Sequence, residues 1–325
     1  MVQTKPKWSK EILEPIFREI YTLDQSEKMK KDFISMFYDQ INSEKDAESY
    51  EGVGAGGLME EWGKSDNQVY YEDIDELWQK RIRNRKWSLG TQIDRDFIDD
   101  VKLTQVIDRI KKVSTDTFRT QQLQAVEFLN NGFVAQGLNY RGALSNYLGP
   151  DGLPLFATNH PYSPVNLTDT QSNMGTSTLS IDSFDATAVA MQEWKDDRGN
   201  PMPVMPDTLI VSPYNARAAF KIAGLPDRDL PAWEPGSNQF NPNMYQSHIK
   251  VIVCPWLATT AANRQNWFVA DWDRMMEMNK WQWRRKPKDG SITDFDTEVS
   301  KFKVVGRWGF GFKNYSFIFG HKPTV

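Results

Sequence analysis

Cysteine is almost missing from this chain of 325 residues, with Cys254 the single copy. One thiol cannot close an intrachain disulfide or furnish a thiolate zinc cluster. Its place at the end of the apolar run Ile249 to Cys254 reads as a small buried hydrophobe rather than a reactive thiol. Histidine is scarce too: His160, His248 and His321 are the only three, with no HExxH spacing and no cysteine nearby. Zinc hydrolysis and cysteine catalysis therefore lack their parts. His160, in a proline-rich loop, reads as a structural hydrogen-bonding residue. There is no GxSxG elbow, no GxxxxGKS/T phosphate loop and no HRD and DFG pair, which removes the commonest hydrolase, ATPase and kinase readings. No catalytic, metal or cofactor residues are expected.

Long hydrophobic runs are missing as well. Nothing approaches the ~20 apolar residues of a membrane span, mean hydropathy is -0.60, and the start MVQTKPKWSK has no apolar signal-peptide region. The expectation is a soluble, cytoplasmically made protein, for which the sequons at Asn166 and Asn314 mean nothing. A formal charge of -4 and a pI near 5.6 give no bulk attraction to nucleic acid. Carboxylates are plentiful but unfocused. Aromatic residues are abundant, at 12 Trp, 18 Phe and 11 Tyr, and such side chains are enriched where proteins meet. The balance favours an assembling protein over an enzyme.

Along the chain, residues 1–50 are charged and broken by Pro6 and Pro15. Short amphipathic pieces, such as Phe33, Met36, Phe37 and Tyr38, must pack on the main body or on a neighbouring chain. Gly52-Val53-Gly54-Ala55-Gly56-Gly57 satisfies the GxGxxG pattern, but the flanks are charged and no strand-to-helix context surrounds it, so it reads as a hinge. Residues 68–93 read as an extended hairpin with a charged middle, Lys80-Arg81-Ile82-Arg83-Asn84-Arg85-Lys86. From 94 to about 131, apolar residues recur near the 3.6 period behind Asp94, Asp96, Asp99 and Asp100, predicting one long helix.

A Gly-, Pro- and Asn-rich loop (147–173) precedes an α/β alternation: a helix from Asp182 through Trp194, a strand Asp207–Ser212, and a helix Tyr214–Ala223. After a second loop (225–245), strands are predicted at Ile249–Cys254 and Trp267–Asp271. The basic run Arg284-Arg285-Lys286-Pro287-Lys288 stands beside Trp281 and Trp283 and suits either DNA or a neighbouring subunit. Toward the end, Phe302–Val305, Arg307–Phe312 and Tyr315–Phe319 alternate around Gly306, Gly309, Gly311 and Gly320, predicting antiparallel strands with turns or bulges at the glycines.

This order resembles the major capsid proteins of tailed bacteriophages with the Hong Kong 97 fold, in particular the Mu-like head subunits and their relatives. The resemblance rests on the stretches Gly152-Leu153-Pro154-Leu155-Phe156-Ala157-Thr158-Asn159-His160-Pro161, Asp207-Thr208-Leu209-Ile210-Val211-Ser212-Pro213 and Val305-Gly306-Arg307-Trp308-Gly309-Phe310-Gly311-Phe312. It implies an α+β fold: N-arm (1–50), hinge and E-loop (51–93), peripheral domain with a spine helix (94–179), axial domain (180–285) and C-terminal strands returning to the peripheral domain (286–325).

It further implies a shell subunit that forms hexamers and pentamers around double-stranded DNA. Lys80, Arg81, Arg83, Arg85 and Lys86 would meet acidic residues of a neighbour, and Arg284, Arg285, Lys286 and Lys288 DNA or a neighbour. A fused scaffold is not expected, since the chain enters the arm almost at once. A separate scaffolding protein, a portal and a decoration protein are the implied partners. Two rivals remain: an encapsulin-like nanocompartment of the same fold, and an intracellular α/β hydrolase.

Overall fold

The computed structural model describes residues 18–19, 21, 32–59, 61–62, 71, 73–94, 103–134, 139–140, 143–144, 148–224, 245, 248–257, 263–294 and 299–323. The expectations for the proline-broken segment 1–17, for Asp96, Asp99 and Asp100, and for the loop 225–244 lie outside these residues.

In chain order, α1 (Phe33–Phe37), β1 (Asp39–Asn42), β2 (Ala47–Val53), β3 (Glu76–Arg83) and β4 (Arg85–Ile93) precede the long helix α2 (Leu103–Ala125). Next come α3 (Glu127–Asn130), β5 (Asn139–Tyr140), β6 (Ala143–Leu144), β7 (His160–Pro161), β8 (Thr170–Gln171) and β9 (Met174–Gly175). Then α4 (Ile181–Gln192), β10 (Thr208–Val211), α5 (Ala216–Ala223), β11 (Lys250–Val253), β12 (Trp267–Ala270) and α6 (Trp272–Met278) alternate. The chain closes with β13 (Asn279–Thr293), β14 (Ser300–Phe312) and β15 (Ile318–His321). Two compact units result: Met1–Glu48 with Ile82–Ala125 and Trp281–Phe310, and Ser49–Arg81 with Val126–Lys280 and Gly311–Val325.

The first unit is a four-stranded sheet in the order β1-β13-β14-β4. Strands β14 and β4 run antiparallel, from Ser300 opposite Ile93 to Trp308 opposite Arg85. Side chains alternate between the faces of a strand, so Phe302, Val304 and Leu89 share one face and pack with Ile110 and Val113 of α2. Farther along that face the core is aromatic. Trp308 stacks 5.9 Å from Trp87 and its indole N–H donates to Gln124 Oε1 at 2.8 Å, while Trp281 lies 5.0 Å from Phe310 and 5.5 Å edge-on to Tyr38.

Helix α1 is capped by Asp32 and buries Phe33, Ile34 and Phe37. The Phe33 amide donates to the buried Gln122 side chain of α2 at 2.8 Å. With β1 hydrogen-bonded to β13, residues 32–42 belong to the body of the subunit and not to a free arm.

Three expectations change here. The long helix spans 23 residues, about 35 Å at 1.5 Å per residue, and stops where Val126 adopts φ -101° and ψ 1°; the apolar period continues into α3, which buries Phe128 and Leu129 in the other unit. Gly306 and Gly309 are not turns but interior positions of a single strand of 13 residues. A Cβ on Gly306 would stand 2.3 Å from the Trp308 ring, and one on Gly309 2.7 Å from the Arg83 carbonyl, so both glycines exist for close approach. Segment 286–325 does not stay together, because β14 lies almost wholly in the first unit and β15 in the second; 94–179 likewise divides at Ala125.

The second unit is built on a five-stranded sheet, β11-β10-β12-β15-β9. Strand β10 is parallel to β11 and antiparallel to β12, and all four of its residues are buried, as a strand covered on both faces requires. On one face Leu209, Val211, Trp267, Val269 and Phe319 pack with Phe184, Ala188 and Met191 of α4 and Ala219 and Ile222 of α5. On the other, Phe268 stacks 5.3 Å from Phe156. The predicted α4, β10, α5, β11 and β12 all form, with end points shifted by no more than two residues; α6 and the length of β13 were not foreseen.

His321 closes this core. It is stacked 3.9 Å from Trp267 and paired with Thr187 Oγ1 at 2.8 Å. Burial lowers its pKa from 6.5 to about 4, so between those values the unfolded chain takes up a proton that the native core refuses. The resulting stability is fully present above pH 6.5, falls as pH drops, and is gone below about 4, a loss of roughly 3 kcal/mol. His321→Gln keeps a partner for Thr187 and should flatten the fall of Tm between pH 6.5 and 4, read by thermal melts in that window.

Candidate inter-subunit surfaces

Residues 76–93 form one nearly continuous extended run that changes partner at Asn84. Before it, β3 pairs with β2; after it, β4 pairs with β14. Contacts run Asp46 to Asn84, Gly52 to Leu77 and Gly54 to Asp75, so the β2–β3 ribbon is antiparallel. This corrects the hairpin expected over 68–93: the charged stretch is no tip but the stem by which the ribbon enters the sheet. The physical reason is the phase of the alternation. Ile82 and Asn84 are buried and Arg81 and Arg83 exposed; past Asn84 the phase reverses, so that Lys86 is exposed and Trp87 and Leu89 are half-buried.

Asn84 is the joint. Its amide donates to the Asp46 carbonyl at 2.8 Å, and its side chain donates to Ser43 Oγ at 2.8 Å and the Lys45 carbonyl at 2.9 Å. Around it Asp46 accepts from two guanidinium groups, Arg83 at 3.3 Å and Arg307, and Arg307 also reaches the Asn84 carbonyl at 3.3 Å. Arg83 thus has a carboxylate within its own chain.

Lys80 behaves differently again: its ammonium donates to the Leu148 carbonyl and lies 5.8 Å from the Phe312 ring centre. Burial lowers its pKa, and the nearby Asp151 carboxylate opposes that shift. Arg85 is half-buried, and Arg81 and Lys86 stay open to a partner. Neither Asp46 nor Asn84 was singled out from the sequence; the readable signal was an uncharged Asn in the inward phase of a basic run.

The glycine segment is not a hinge over residues 52–55. Gly52 continues β2, where a Cβ would stand 2.7 Å from that of Leu77. The Gly54 amide donates to the Asp75 carbonyl at 2.9 Å and the Ala55 amide to Asp197 at 3.0 Å, while Arg198 donates to the Asp73 carbonyl. The turn at 195–201 therefore holds both strands of the ribbon. Counting Asp73, Asp75 and Glu76 at the hold itself, residues 58–76 carry seven acidic residues and one basic one, Lys64. Leu58, Met59, Trp62, Tyr71 and Ile74 are each more than half exposed.

The outer face of the four-stranded sheet has the opposite charge. The register places Lys86 opposite Arg307, and Lys301 and Lys303 opposite Gln92 and Gly90, all in the outward phase. A Cβ on Gly290 would lie 3.6 Å from the Lys303 side chain, so the even-numbered residues Arg284, Lys286 and Lys288 of β13 join that face, while Arg285 falls in the other phase; all four are exposed. The carboxylates seen on this side are Asp46, taken by Arg83 and Arg307, and Asp294, 2.9 Å from Lys301.

Among the described residues no group of three or more His, Cys, Asp or Glu could hold a metal, and no helix is long and apolar enough to cross a membrane. Burial pushes Cys254 up to about 12, so it is a thiol at neutral pH. His160 lies 2.5 Å from Asp151 and is stacked 3.8 Å from Tyr315, a brace inside the core. An open cleft of about 300 Å³ between β4 and α2 is lined by Gly90, Thr91, Arg109, Lys112 and Asp116.

Residues 79–319 match the family described as phage capsid protein. Among curated proteins none matches by sequence. In fold the chain is similar to a structure from Mycobacterium phage Patience, at 10% identity and a TM-score of 0.56, covering 96% of this chain and 88% of that one. It is similar too to one from Microbacterium phage Oxtober96, at 9% identity and a TM-score of 0.54 over 90% of each chain. The capsid of bacteriophage JBD30, decorated with minor capsid protein trimers, gives 15% identity and a TM-score of 0.53 over 70% of this chain and 91% of that one.

Asn84→Ala should cost roughly 1–3 kcal/mol, since it takes the donor from the buried Ser43 hydroxyl and the part-buried Lys45 carbonyl. Denaturant titration checks the cost, and hydrogen exchange should show amides of β2 and β3 losing protection before those of β14.

Proposed function

Because the chain belongs to the phage capsid protein family, we propose that its copies join as hexamers and pentamers into an icosahedral shell around phage double-stranded DNA, with the ribbon tip of one copy on the basic sheet face of the next. Its role as a structural capsid subunit of the Hong Kong 97 fold follows from the family and the fold together.

The observation that carries the contact is the segregation of charge. Segment 58–76 is acidic in sequence and its described residues Leu58, Met59, Trp62, Tyr71 and Ile74 are exposed, while a seven-membered basic face has few carboxylates on it among the described residues. Opposed patches of this kind steer encounter and set register, while the apolar residues supply the burial. The same reading revises the role of the basic stem: Arg83 and Lys80 serve their own subunit, and Arg81 and Lys86 serve the neighbour.

A separate scaffolding protein, a portal and a decoration protein complete this reading, with synthesis in the host bacterial cytoplasm and final location in the virion. Decoration has a parallel in the JBD30 capsid. The encapsulin-like alternative predicts protein cargo in place of DNA.

Negative-stain electron microscopy of the protein expressed alone and with its neighbouring genes should show closed shells or rings, and nucleic acid in the shells separates the phage reading from a nanocompartment. A monomer persisting under both conditions would remove the proposal. Lys286→Glu with Lys288→Glu and Lys303→Glu should change subunit stability by no more than about 0.5 kcal/mol for each substitution, as exposed positions without a partner among the described residues do, yet abolish shells; normal shells from this variant would refute the basic-face contact.

A further inference from the structure

Within the second unit, the two helices on one face of the five-stranded sheet carry opposite outward stripes. On α4 and its C-cap the stripe is Asp182, Ala186, Val189 and Glu193, all exposed, at the three- and four-residue spacing that lines one helix face. Asp185 beside them is occupied by the Tyr245 hydroxyl. On and just before α5 the stripe is Tyr214, Arg217, Phe220 and Lys221, again all exposed, with the Arg264 guanidinium 4.5 Å from the Tyr214 ring. No described residue pairs with the side chains of Asp182, Glu193, Arg217 or Lys221.

The two stripes stand over different halves of the sheet. Helix α5 packs on β10 and the edge strand β11. Helix α4 packs on β12, its Thr187 reaching His321 of β15 at 2.8 Å, and Trp194 just beyond it stacks 6.5 Å from Phe319. One half of the unit therefore presents an acidic and aliphatic stripe, the other a basic and aromatic one. Two unlike, complementary patches on one subunit are what a head-to-tail contact requires, and such a contact closes into a ring when the rotation permits.

Resting on the capsid-shell reading above, we infer that the α4 stripe of one copy docks on the α5 stripe of the next around each ring of the shell. Asp182 and Glu193 face Arg217 and Lys221 of the neighbour, with Val189 against Phe220. This contact is separate from the one between the ribbon tip and the basic sheet.

The test uses three full-length variants: Arg217→Glu/Lys221→Glu, Asp182→Lys/Glu193→Lys, and the chain carrying all four changes. Each two-site variant alone should be folded by circular dichroism and form no rings, since like charges then meet. The four-site chain exchanges both signs and should assemble again. Mixed together, the two-site variants must alternate, so they should close even-numbered rings only, giving hexamers without pentamers and no closed shells.

Normal shells from either two-site variant, or no recovery in a folded four-site chain, would overturn the inference. Should a reversal unfold the subunit, the neutral pair Arg217→Gln/Lys221→Gln is read instead by the salt concentration that dissolves rings. A lower midpoint than that of the unaltered protein supports the contact, and an unchanged one refutes it. Failure of the unaltered protein to assemble would count against the shell reading itself, and is thereby distinguishable.

Discussion

A single extended run must satisfy two sheets, and it does so by turning over its partner at Asn84. The inward phase passes from even positions, Ile82 and Asn84, to odd ones, Leu89 and Ile93, across the joint, so the residue at the change of partner needs buried hydrogen bonds to replace those of either ladder. Asn84 supplies them to Ser43, Lys45 and Asp46, and the Asp46 carboxylate then gathers Arg83 and Arg307 around the joint. The ribbon root, the edge of the four-stranded sheet and the close approach of Gly309 to the Arg83 carbonyl all follow from this one change.

The same period of two separates the work of the first unit's sheet. Its inner face is packed with tryptophan and phenylalanine against α2, where large rings bury much area per residue, and its outer face is basic. Glycine at 306 lets the Trp308 ring lie flat on the strand, so the tight packing inside comes without disturbing the register that aligns Lys86, Lys301, Lys303 and Arg307 outside. Core and surface are thus coupled through one ladder of hydrogen bonds.

The second unit divides its charges by helix instead of by strand, and its core, closed by Trp267, Phe156 and His321, carries no exposed polar chemistry of its own. Tip against sheet face and α4 against α5 are two complementary pairs on one chain. A closed shell needs more than one kind of contact, because a single head-to-tail contact makes only a ring or a filament.

Much of this was determined by the sequence alone. The α/β alternation from α4 to β12, the long amphipathic helix, the burial of Cys254 and the structural place of His160 follow from local periodicity and from side-chain chemistry, which need no knowledge of the partner. The family resemblance, carried by short stretches in a set order, named the fold correctly. The tertiary structure decided what pairs with what. A strand's alternation tells which residues share a face but not which strand lies beside it, so the stem at 80–86 reads equally well as a hairpin middle, and glycines at 306 and 309 equally well as turns. The ion pairs of Asp46 and the split of the C-terminal strands between units depend on residues far apart in the chain, and only the folded packing brings them together.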